Sequence, residues 1–482
     1  MTNYLEKSVK EINELLKNKK IKPIDLVNEA FERIENNSEL NAYITLNKEE
    51  AVKKAIELED KEVDNILFGL PIAVKDNIVT KGLRTTAASH ILENFTPIYD
   101  ATVVEKINKN NMIIIGKTNM DEFAMGSSSR TSYFGAPRNP WNKTKISGGS
   151  SGGSAVTIAA NDVLFALGTD TGGSIRQPAS YCGIVGMKPT YGRVSRYGMI
   201  AFASSLDQIG PMTKNVYNNA LLLNVIAGHD DKDLTSSRKE VEDYTSLIGQ
   251  DIKGKKIAIP NYFVSDIVSK EIKEKLENVI ELLKEKGAIV DYVDMKYLEN
   301  AVTLYQIIAM GEASSNLARF DGIRYGTSYE DPNGIYDLYV KTRSNGFGKE
   351  VKRRIMVGSY LLSGENAKIY YNKALAIRDD ISKEFKKVFE KYDYIIGPTT
   401  TTTAYDLTDP MDDPSKSFMD DVLSIPVNMA GLPGLNLPIG TSEDNMPIGM
   451  QIIGDKFTEA SIYQLAAFLE KEIDFCGGVK YE

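Results

Sequence analysis

Two glycine- and serine-rich segments lie in the middle of the sequence, and each of them borders strongly apolar sequence. Ser147–Ala155 reads SGGSSGGSA, and Asp170–Ser180 reads DTGGSIRQPAS. Such composition is typical of flexible linkers. Here, however, the apolar stretch AVTIAA overlaps the end of the first segment, and DVLFALGTD leads into the second. The pattern therefore predicts tight loops between buried elements rather than a linker.

A phosphate-binding loop is the second interpretation of these segments. Gly168–Ser174, GTDTGGS, approaches the pattern G-x-x-x-x-G-K-[ST] but has no lysine, and neither loop contains G-x-G-x-x-G. Because the lysine of such loops contacts the terminal phosphates, its absence disfavours a nucleotide site here.

Gly172-Gly173-Ser174 has the composition of a catalytic loop. Glycines allow successive backbone N–H groups to converge on one point, which builds an anion nest or oxyanion hole. A serine at the end of such a nest can attack a carbonyl whose oxygen moves into the same N–H groups. The nucleophile elbow G-x-S-x-G does not fit, because Arg176 stands two residues after Ser174. A purely structural serine in a glycine-rich turn is the alternative.

A nucleophilic serine needs a base, and histidine is scarce in this chain. His90 and His229 are the two histidines, and neither lies in a motif-like setting. Lys75 ends the apolar run LPIAV, where burial is expected to lower its pKa and leave part of the population neutral. A neutral amine acts as a general base in Ser–Lys hydrolases. The alternative is a strand-end lysine that extends into water, and periodicity does not link Lys75 to Ser174.

Strand-like and helix-like segments alternate along most of the chain, which predicts an α/β sandwich with a mostly parallel sheet. The predicted strands include Gly69–Asp76, Asn111–Asn119, Asp162–Asp170 and Asp291–Met295. Lys255–Phe263 opens a further strand–helix–strand unit. Because there is no internal repeat or long linker, we predict one domain over residues 1–482. Its parts would be a helical N-terminal region (1–60), a core (61–215) and a mostly helical cap or insertion (300–392).

Composition and charge restrict the classes of function. The 482 residues carry a net charge of −9, which argues against direct binding of a phosphate backbone. Neither a signal peptide nor an apolar run of about 18 residues or more is found, so we expect a cytoplasmic protein without a membrane anchor. Cys182 and Cys476 are too few for a disulfide framework or a cysteine-rich zinc site. We expect no metal to carry the chemistry, although a carboxylate site for magnesium stays open.

The two loops and their spacing from Lys75 resemble the amidase signature family. The segments that carry the resemblance are GGSSGGSA and GTDTGGSIRQPASYCGIVGMKPTYGRVSRYG. It extends over nearly the whole chain. It implies a single large α/β/α sandwich with a mixed, mostly parallel central sheet.

The catalytic group of that family is a Ser–Ser–Lys triad, and the resemblance implies how it maps onto this chain. Ser174 would be the nucleophile, Ser150 the bridging serine on a cis peptide bond, and Lys75 the base. The oxyanion hole would be formed by the backbone N–H groups of Thr171, Gly172, Gly173 and Ser174. The proton of the nucleophile would then pass through a second serine to a lysine.

Three further segments are similar to the glutamine-hydrolysing subunits of tRNA-dependent amidotransferases, a branch of this family. They are Glu312–Gly326, Arg343–Ile355 and Met419–Gly434. This similarity implies a glutaminase that forms a γ-glutamyl ester and passes ammonia to a partner, which amidates Glu-tRNA(Gln), Asp-tRNA(Asn) or both. The chain would join B and C subunits in a heterotrimer and meet aminoacyl-tRNA through that complex. It would need no cofactor itself, because ATP and magnesium would act in the B subunit.

The same similarity implies a glutamine pocket outside the two loops. Arg354 would bind the α-carboxylate, Asp421 would bind the α-ammonium, and Tyr305 would line the pocket. A zwitterion needs one charge of each sign, and a guanidinium can hold a carboxylate through two parallel hydrogen bonds. Without the resemblance, Arg354 and Asp421 would be interpreted as members of surface ion pairs. The sequence departs from the family at Arg130, where an acidic residue is usual.

Two other functions stay open at this point. One is a free-standing amidase acting on small or aryl amides. The other is a non-catalytic scaffold that keeps the fold, and the joint presence of Lys75, Ser150 and Ser174 counts against it.

Overall fold

The structure of the chain, a computed structural model, describes residues 3–410, 416–473 and 475. Eleven strands in these residues form one sheet. They are β1 (Tyr43–Leu46), β2 (Pro71–Lys75), β3 (Ile113–Thr118), β4 (Phe165–Asp170), β5 (Val185–Lys188), β6 (Gln208–Thr213), β7 (Lys256–Pro260), β8 (Ile289–Val293), β9 (Tyr394–Pro398), β10 (Gly434–Thr441) and β11 (Pro447–Ile453). Their order across the sheet is β1-β3-β2-β4-β6-β5-β10-β11-β9-β7-β8.

Helices connect and cover these strands. Within the described residues they are α1 (Val9–Lys17), α2 (Pro23–Asn36), α3 (Lys48–Leu58), α4 (Thr102–Lys109), α5 (Gly152–Ala159), α6 (Arg176–Cys182), α7 (Val216–Ile226), α8 (Lys270–Glu285), α9 (Ala301–Asn316), α10 (Ile335–Gly346), α11 (Lys349–Leu362), α12 (Asn372–Phe389), α13 (Lys416–Met419), α14 (Ile425–Met429) and α15 (Glu459–Ile473). No helix in this part of the chain is long and apolar enough to cross a bilayer.

The α/β class is confirmed, but the expectation of a mostly parallel sheet needs correction. Four of the ten strand pairings between described residues are parallel and six are antiparallel. Five of the antiparallel pairs lie in the middle of the sheet, where β10 and β11 form a hairpin across a short turn, and the sixth joins the edge strand β1 to β3. Parallel neighbours require a long crossover, usually a helix, and a hairpin does not. The sheet is therefore mixed, with parallel strands toward its two sides.

The parallel group β3-β2-β4 determines where chemistry can take place. Both β3 and β4 run parallel to β2, so their carboxyl ends meet at the same edge of the sheet. Lys75 pairs with Thr118 in register there, and β4 ends nearby at Asp170. All residues of the three strands are buried, as expected for parallel strands covered on both faces. Ligands bind preferentially at such carboxyl ends in open α/β sheets.

Most predicted elements agree with the structure to within a few residues. Helix α2 begins at Pro23, a residue suited to the first helical turn because it has no N–H to satisfy. The strand predicted at Asp291–Met295 lies two residues earlier, as β8. The N-terminal region 1–60 is helical except for β1, which forms one edge of the sheet. Cys182 is a buried free thiol, and Cys476 lies outside the described residues.

Most of the segment 300–392 is helical, although residues 320–334 contain no helix. Helix α9 packs on α11 and α12, and α9 and α12 also contact α14, whereas α10 packs against the short helix His90–Leu92. Helices α9 and α11 contribute Tyr305 and Arg354, both buried, so this insertion supplies one wall of the site described next.

Candidate active site

Lys75 lies fully buried at the carboxyl end of β2. Its Nζ donates hydrogen bonds to Ser150 Oγ (2.7 Å), Ser151 Oγ (2.8 Å) and the Thr169 carbonyl (3.3 Å). Burial lowers the pKa of Lys75 from its ordinary value to about 7, although nearby carboxylates act in the opposite direction. The interpretation of Lys75 as a strand-end lysine extending into water is therefore wrong. The structure instead holds an amine that is partly neutral at neutral pH.

The two serine loops meet above this amine. The Gly149–Ser150 peptide bond is cis, as the resemblance implies. The Ser151 N–H donates to the Ser174 carbonyl at 3.1 Å, which joins the two loops directly. Ser174 is 4% exposed, and its hydroxyl makes no hydrogen bond with any described residue. The structure thus contains the Lys75–Ser150 contact, whereas no hydrogen bond between described atoms links Ser150 to Ser174.

Four successive residues, Thr171 to Ser174, form a buried turn directly after β4. None of their backbone N–H groups donates a hydrogen bond within the described part of the chain. The next N–H, that of Ile175, is already bound to Asp170 Oδ2 at 3.1 Å. Unpaired N–H groups at a buried turn are the groups from which an anion-binding nest is built. Its place beside Ser174 suits the oxygen of a carbonyl under attack.

A fully buried ion pair forms the base of this nest. Asp170 accepts hydrogen bonds from Arg176 Nε (3.1 Å) and Nη2 (3.2 Å) and from Asn428 Nδ2 (2.8 Å). Burial alone would raise the pKa of Asp170, but the charges of Arg176 and Lys188 and the hydrogen bonds from Arg176 and Asn428 together outweigh burial, so the pKa is lowered. Arg176 also donates to the Ser424 carbonyl and to Gln451 Oε1. Removing one partner of such a pair would leave a buried charge uncompensated, so the pair fixes the loop that carries Ser174.

Tyr305 and Asp421 lie against the two glycines of the nest. A Cβ on Gly172 would come within 2.9 Å of the Tyr305 ring, and a Cβ on Gly173 would collide with the Asp421 carboxylate. Asp421 Oδ1 is buried and has no hydrogen-bond partner among the described residues. Burial, reinforced by the nearby carboxylate of Asp420, raises the pKa of Asp421 well above its usual range. An unpartnered carboxylate at this position is suited to a ligand that brings its own positive charge.

Arg354 supplies the opposite charge from the second turn of α11. It is 3% exposed, and its guanidinium lies over the rings of Phe418 (4.8 Å) and Phe202 (5.5 Å). Its Nε donates to Glu350 Oε1 at 2.7 Å. Neither Nη group makes a hydrogen bond with a described residue, so both are available to a carboxylate.

A cavity of about 880 Å³ opens beside these residues. Its wall includes Arg354, Asp420 and Arg130, whereas Lys75, Ser150 and Ser174 are not among its lining residues. Arg130 donates to the carbonyls of Leu407 (3.1 Å) and Asp409 (2.7 Å). The basic residue at the position where the family usually has an acidic one thus joins two loops at the cavity wall.

Three features of the site were missed from the sequence. Ser151 binds Lys75 as closely as Ser150 does, and its adjacency to Ser150 was the available sign. Asp170 and Arg176 belong to the quoted motif, but no local pattern reveals that they pair. Asp207, which accepts from Thr171 Oγ1 at 2.5 Å, gave no sign in the sequence.

Neither a histidine triad nor a metal centre is found in the described ranges. His90 and His229 contact Glu93 and Asp231 and make no contact with Ser174. No group of three His, Cys, Asp or Glu side chains in those ranges could hold a metal ion.

Comparison with known proteins places the chain. The Amidase family profile matches residues 25–463, and the chain belongs to the amidase family. It is 54% identical over 470 residues to the A subunit of glutamyl-tRNA(Gln) amidotransferase from Pediococcus pentosaceus, covering 97% of this chain and 96% of that one. The resemblance seen in the motifs is thereby confirmed.

Solved structures agree with this assignment. The crystal structure of the A subunit of glutamyl-tRNA(Gln) amidotransferase from Thermotoga maritima is similar with a TM-score of 0.83 and 38% identity, covering 100% of this chain and 99% of that one. A bacterial aryl acylamidase of the amidase signature family is similar with a TM-score of 0.85 and 25% identity, covering 98% and 99% of the two chains.

Proposed function

We propose that this chain is the glutamine-hydrolysing subunit of a tRNA-dependent amidotransferase. The observation that carries the proposal is the placement of a buried Lys75–Ser150 contact beneath an N–H nest that Asp421 borders, with Arg354 in the same region of the fold. The 54% identity to the A subunit of a glutamyl-tRNA(Gln) amidotransferase supports it over nearly the full length of both chains.

In the proposed reaction, Ser174 Oγ attacks the carbon of the glutamine side-chain amide. Its proton passes to Ser150, whose own proton passes to neutral Lys75. The amide oxygen becomes an oxyanion in the nest of Thr171–Ser174, which stabilises charge that develops only in the transition state. Collapse of the tetrahedral intermediate breaks the C–N bond, and the proton held by Lys75 returns through Ser150 to release ammonia. Water then hydrolyses the γ-glutamyl ester to glutamate and restores Ser174.

Substrate choice follows from the charges around the nest. The free Nη groups of Arg354 would bind the α-carboxylate, Asp421 would bind the α-ammonium, and Tyr305 would line the side of the pocket. An ammonium bound there would favour the charged form of Asp421, whose pKa burial raises in the empty site. A neutral amide without these groups would leave the Nη groups of Arg354 and Asp421 Oδ1 without the hydrogen bonds that glutamine supplies. Free glutamine therefore fits better than a simple aryl amide.

The ammonia would be used by a partner. We propose B and C subunits in a heterotrimer, with ATP and magnesium acting in the B subunit to activate the carboxylate of Glu-tRNA(Gln), Asp-tRNA(Asn) or both. The similar proteins are named as the A subunits of an amidotransferase, which supports membership of a multi-subunit complex. The net charge of −9 supports placing most tRNA contacts on a partner.

The test is release of ammonia from free glutamine by the full chain, alone and with its partner subunits. We expect activity that rises with the partners and is lost in Ser174→Ala. Ser246→Ala is the matched control, because this exposed serine forms no hydrogen bond through its hydroxyl with a described residue. Hydrolysis of aryl amides with no action on glutamine would favour a free-standing amidase. Failure of a fluorophosphonate to label Ser174 would favour a scaffold.

A further inference from the structure

Glu122 is a buried carboxylate that the proposed reaction does not use. It is 3% exposed and follows directly after Asp121, in a short turn after β3. Its Oε1 accepts a hydrogen bond from the Ser89 hydroxyl, and its two oxygens accept from the Gly348 N–H at 3.1 and 2.9 Å. No ion pair with a described residue accompanies these contacts. Burial raises the pKa of Glu122 to about 7, so these hydrogen bonds hold a carboxylate in a place where its charge is costly.

Gly348 is the residue that precedes α11, the helix that carries Arg354. A Cβ on Gly348 would collide with Glu122 Oε2, so only glycine permits this approach. A carboxylate at a helix N-terminus binds an N–H that has no partner within the helix, and the helix dipole favours its charge. Glu122 thus determines where the first turn of α11 lies. Arg354 follows six residues after Gly348, in the next turn.

Asp121, the residue before Glu122, contacts the loop that carries Ser150. The Asp121 N–H donates to the Ser150 carbonyl at 3.3 Å. The Asp121 carboxylate accepts from the Ser129 N–H (2.8 Å) and the Thr131 hydroxyl (2.9 Å), and that hydroxyl accepts from the Glu122 N–H (3.0 Å). Two adjacent residues therefore span the distance from the relay serine to the helix of the substrate-binding arginine.

We propose that Glu122 is a positioning residue for glutamine binding, which holds α11 against the catalytic loop so that Arg354 meets the α-carboxylate. The proposal rests on the proposed function, because it names what Arg354 binds. Glu122 lines the same cavity as Arg354, but its oxygens are occupied by Ser89 and Gly348, and it makes no hydrogen bond with Lys75, Ser150 or Ser174. Its effect is on where the guanidinium lies, and the reactivity of Ser174 itself does not depend on it.

This division of roles gives a distinctive kinetic result. In the full chain assembled with its partner subunits, Glu122→Ala is expected to raise KM for glutamine roughly tenfold, the effect of losing one hydrogen bond to a charged group. The kcat value is expected to change by about twofold or less, because Arg354 binds substrate and transition state alike. The labelling rate of Ser174 by a fluorophosphonate without an α-carboxylate is expected to equal that of the wild type.

Two further variants keep the test decisive. Glu122→Gln keeps an oxygen for the Gly348 N–H, and the Ser89 hydroxyl can turn to accept from its amide, so we expect KM near the wild-type value. Gly348→Ala disturbs the same contact from the helix side and is judged by the same criterion if Glu122→Ala does not fold. In the Arg354→Ala background, Glu122→Ala is expected to add little, since both changes remove the same interaction.

Two results would overturn the proposal. One is an unchanged KM in Glu122→Ala and Gly348→Ala. The other is a loss of Ser174 labelling that matches the loss of glutaminase activity, which indicates general disruption of the fold. Failure of the proposed function is distinct, because it would appear in the wild type as no hydrolysis of glutamine, and it would remove this proposal as well.

Discussion

The reaction of Ser174 with a fluorophosphonate is expected to follow the titration of Lys75. Only the neutral amine can accept the proton of Ser150, and burial lowers the pKa of Lys75 to about 7. The neutral fraction is then about 9% at pH 6, about 50% at pH 7 and about 91% at pH 8. The labelling rate should therefore rise about tenfold between pH 6 and pH 8 and level off above that. The probe carries no α-carboxylate, so titration of Glu122 or Asp421 has little influence on it.

A lysine with an ordinary pKa gives a different curve. With the ordinary value of 10.5, the neutral fraction rises about a hundredfold between pH 6 and pH 8 and continues to rise beyond pH 9. Stopped-flow or gel-based labelling across this range separates the two cases. Lys75→Met is the control, and we expect its rate at pH 7 to fall by about 10²–10⁴ and to show no inflection near pH 7. A wild-type rate that climbs without a plateau would refute the role of a desolvated amine.

Three further predictions concern the neighbours of the triad. In steady-state assays, Arg354→Ala should raise KM for glutamine by about 10–100-fold, because it removes a bidentate contact between charged groups. The control is Arg353→Ala, which removes the neighbouring arginine bound to the same Glu350 and should change KM by about threefold or less. Asp421→Asn should raise KM about tenfold while increasing the stability of the empty enzyme to denaturant by about 1 kcal/mol at pH 7. The folded state raises the pKa of this carboxyl and therefore destabilises the fold above the unfolded-state pKa; a loss of stability would contradict this. Ser151→Ala should slow fluorophosphonate labelling roughly tenfold, less than Ser150→Ala, because Lys75 keeps its other acceptors; an unchanged rate would show that Ser151 does not position the amine.

Local patterns were sufficient for many of the elements but not for the pairing of the strands. The runs around β2, β3 and β4 are short, apolar and followed by polar or glycine residues, so each could be predicted as a buried strand. Which strands become neighbours depends on contacts between segments far apart in the chain. The antiparallel centre of the sheet joins β5 to β10 across about half of the sequence, and no local periodicity indicates such a pairing.

Some features of the site could likewise be predicted from local sequence, whereas others depend on contacts between distant segments. The glycine-rich loop indicated a nest, and the apolar run before Lys75 indicated burial, both from local sequence. The prediction that Lys75, Ser150 and Ser174 form one triad came only from the family resemblance, and the structure contains its Lys75–Ser150 contact. Three contacts became visible only in the structure: the pairing of Asp170 with Arg176, the hydrogen bond from Lys75 to Ser151, and the contact of Glu122 with Gly348.

The most direct measurement is peptide-level mass spectrometry of the complex quenched during turnover of free glutamine. A γ-glutamyl ester mapped to Ser174, which is absent from Ser174→Ala and accumulates when deacylation is slowed, is the predicted result. Ammonia release at the full rate with the adduct on another residue, or with no adduct under any quench, would contradict the assignment of Ser174 as the nucleophile.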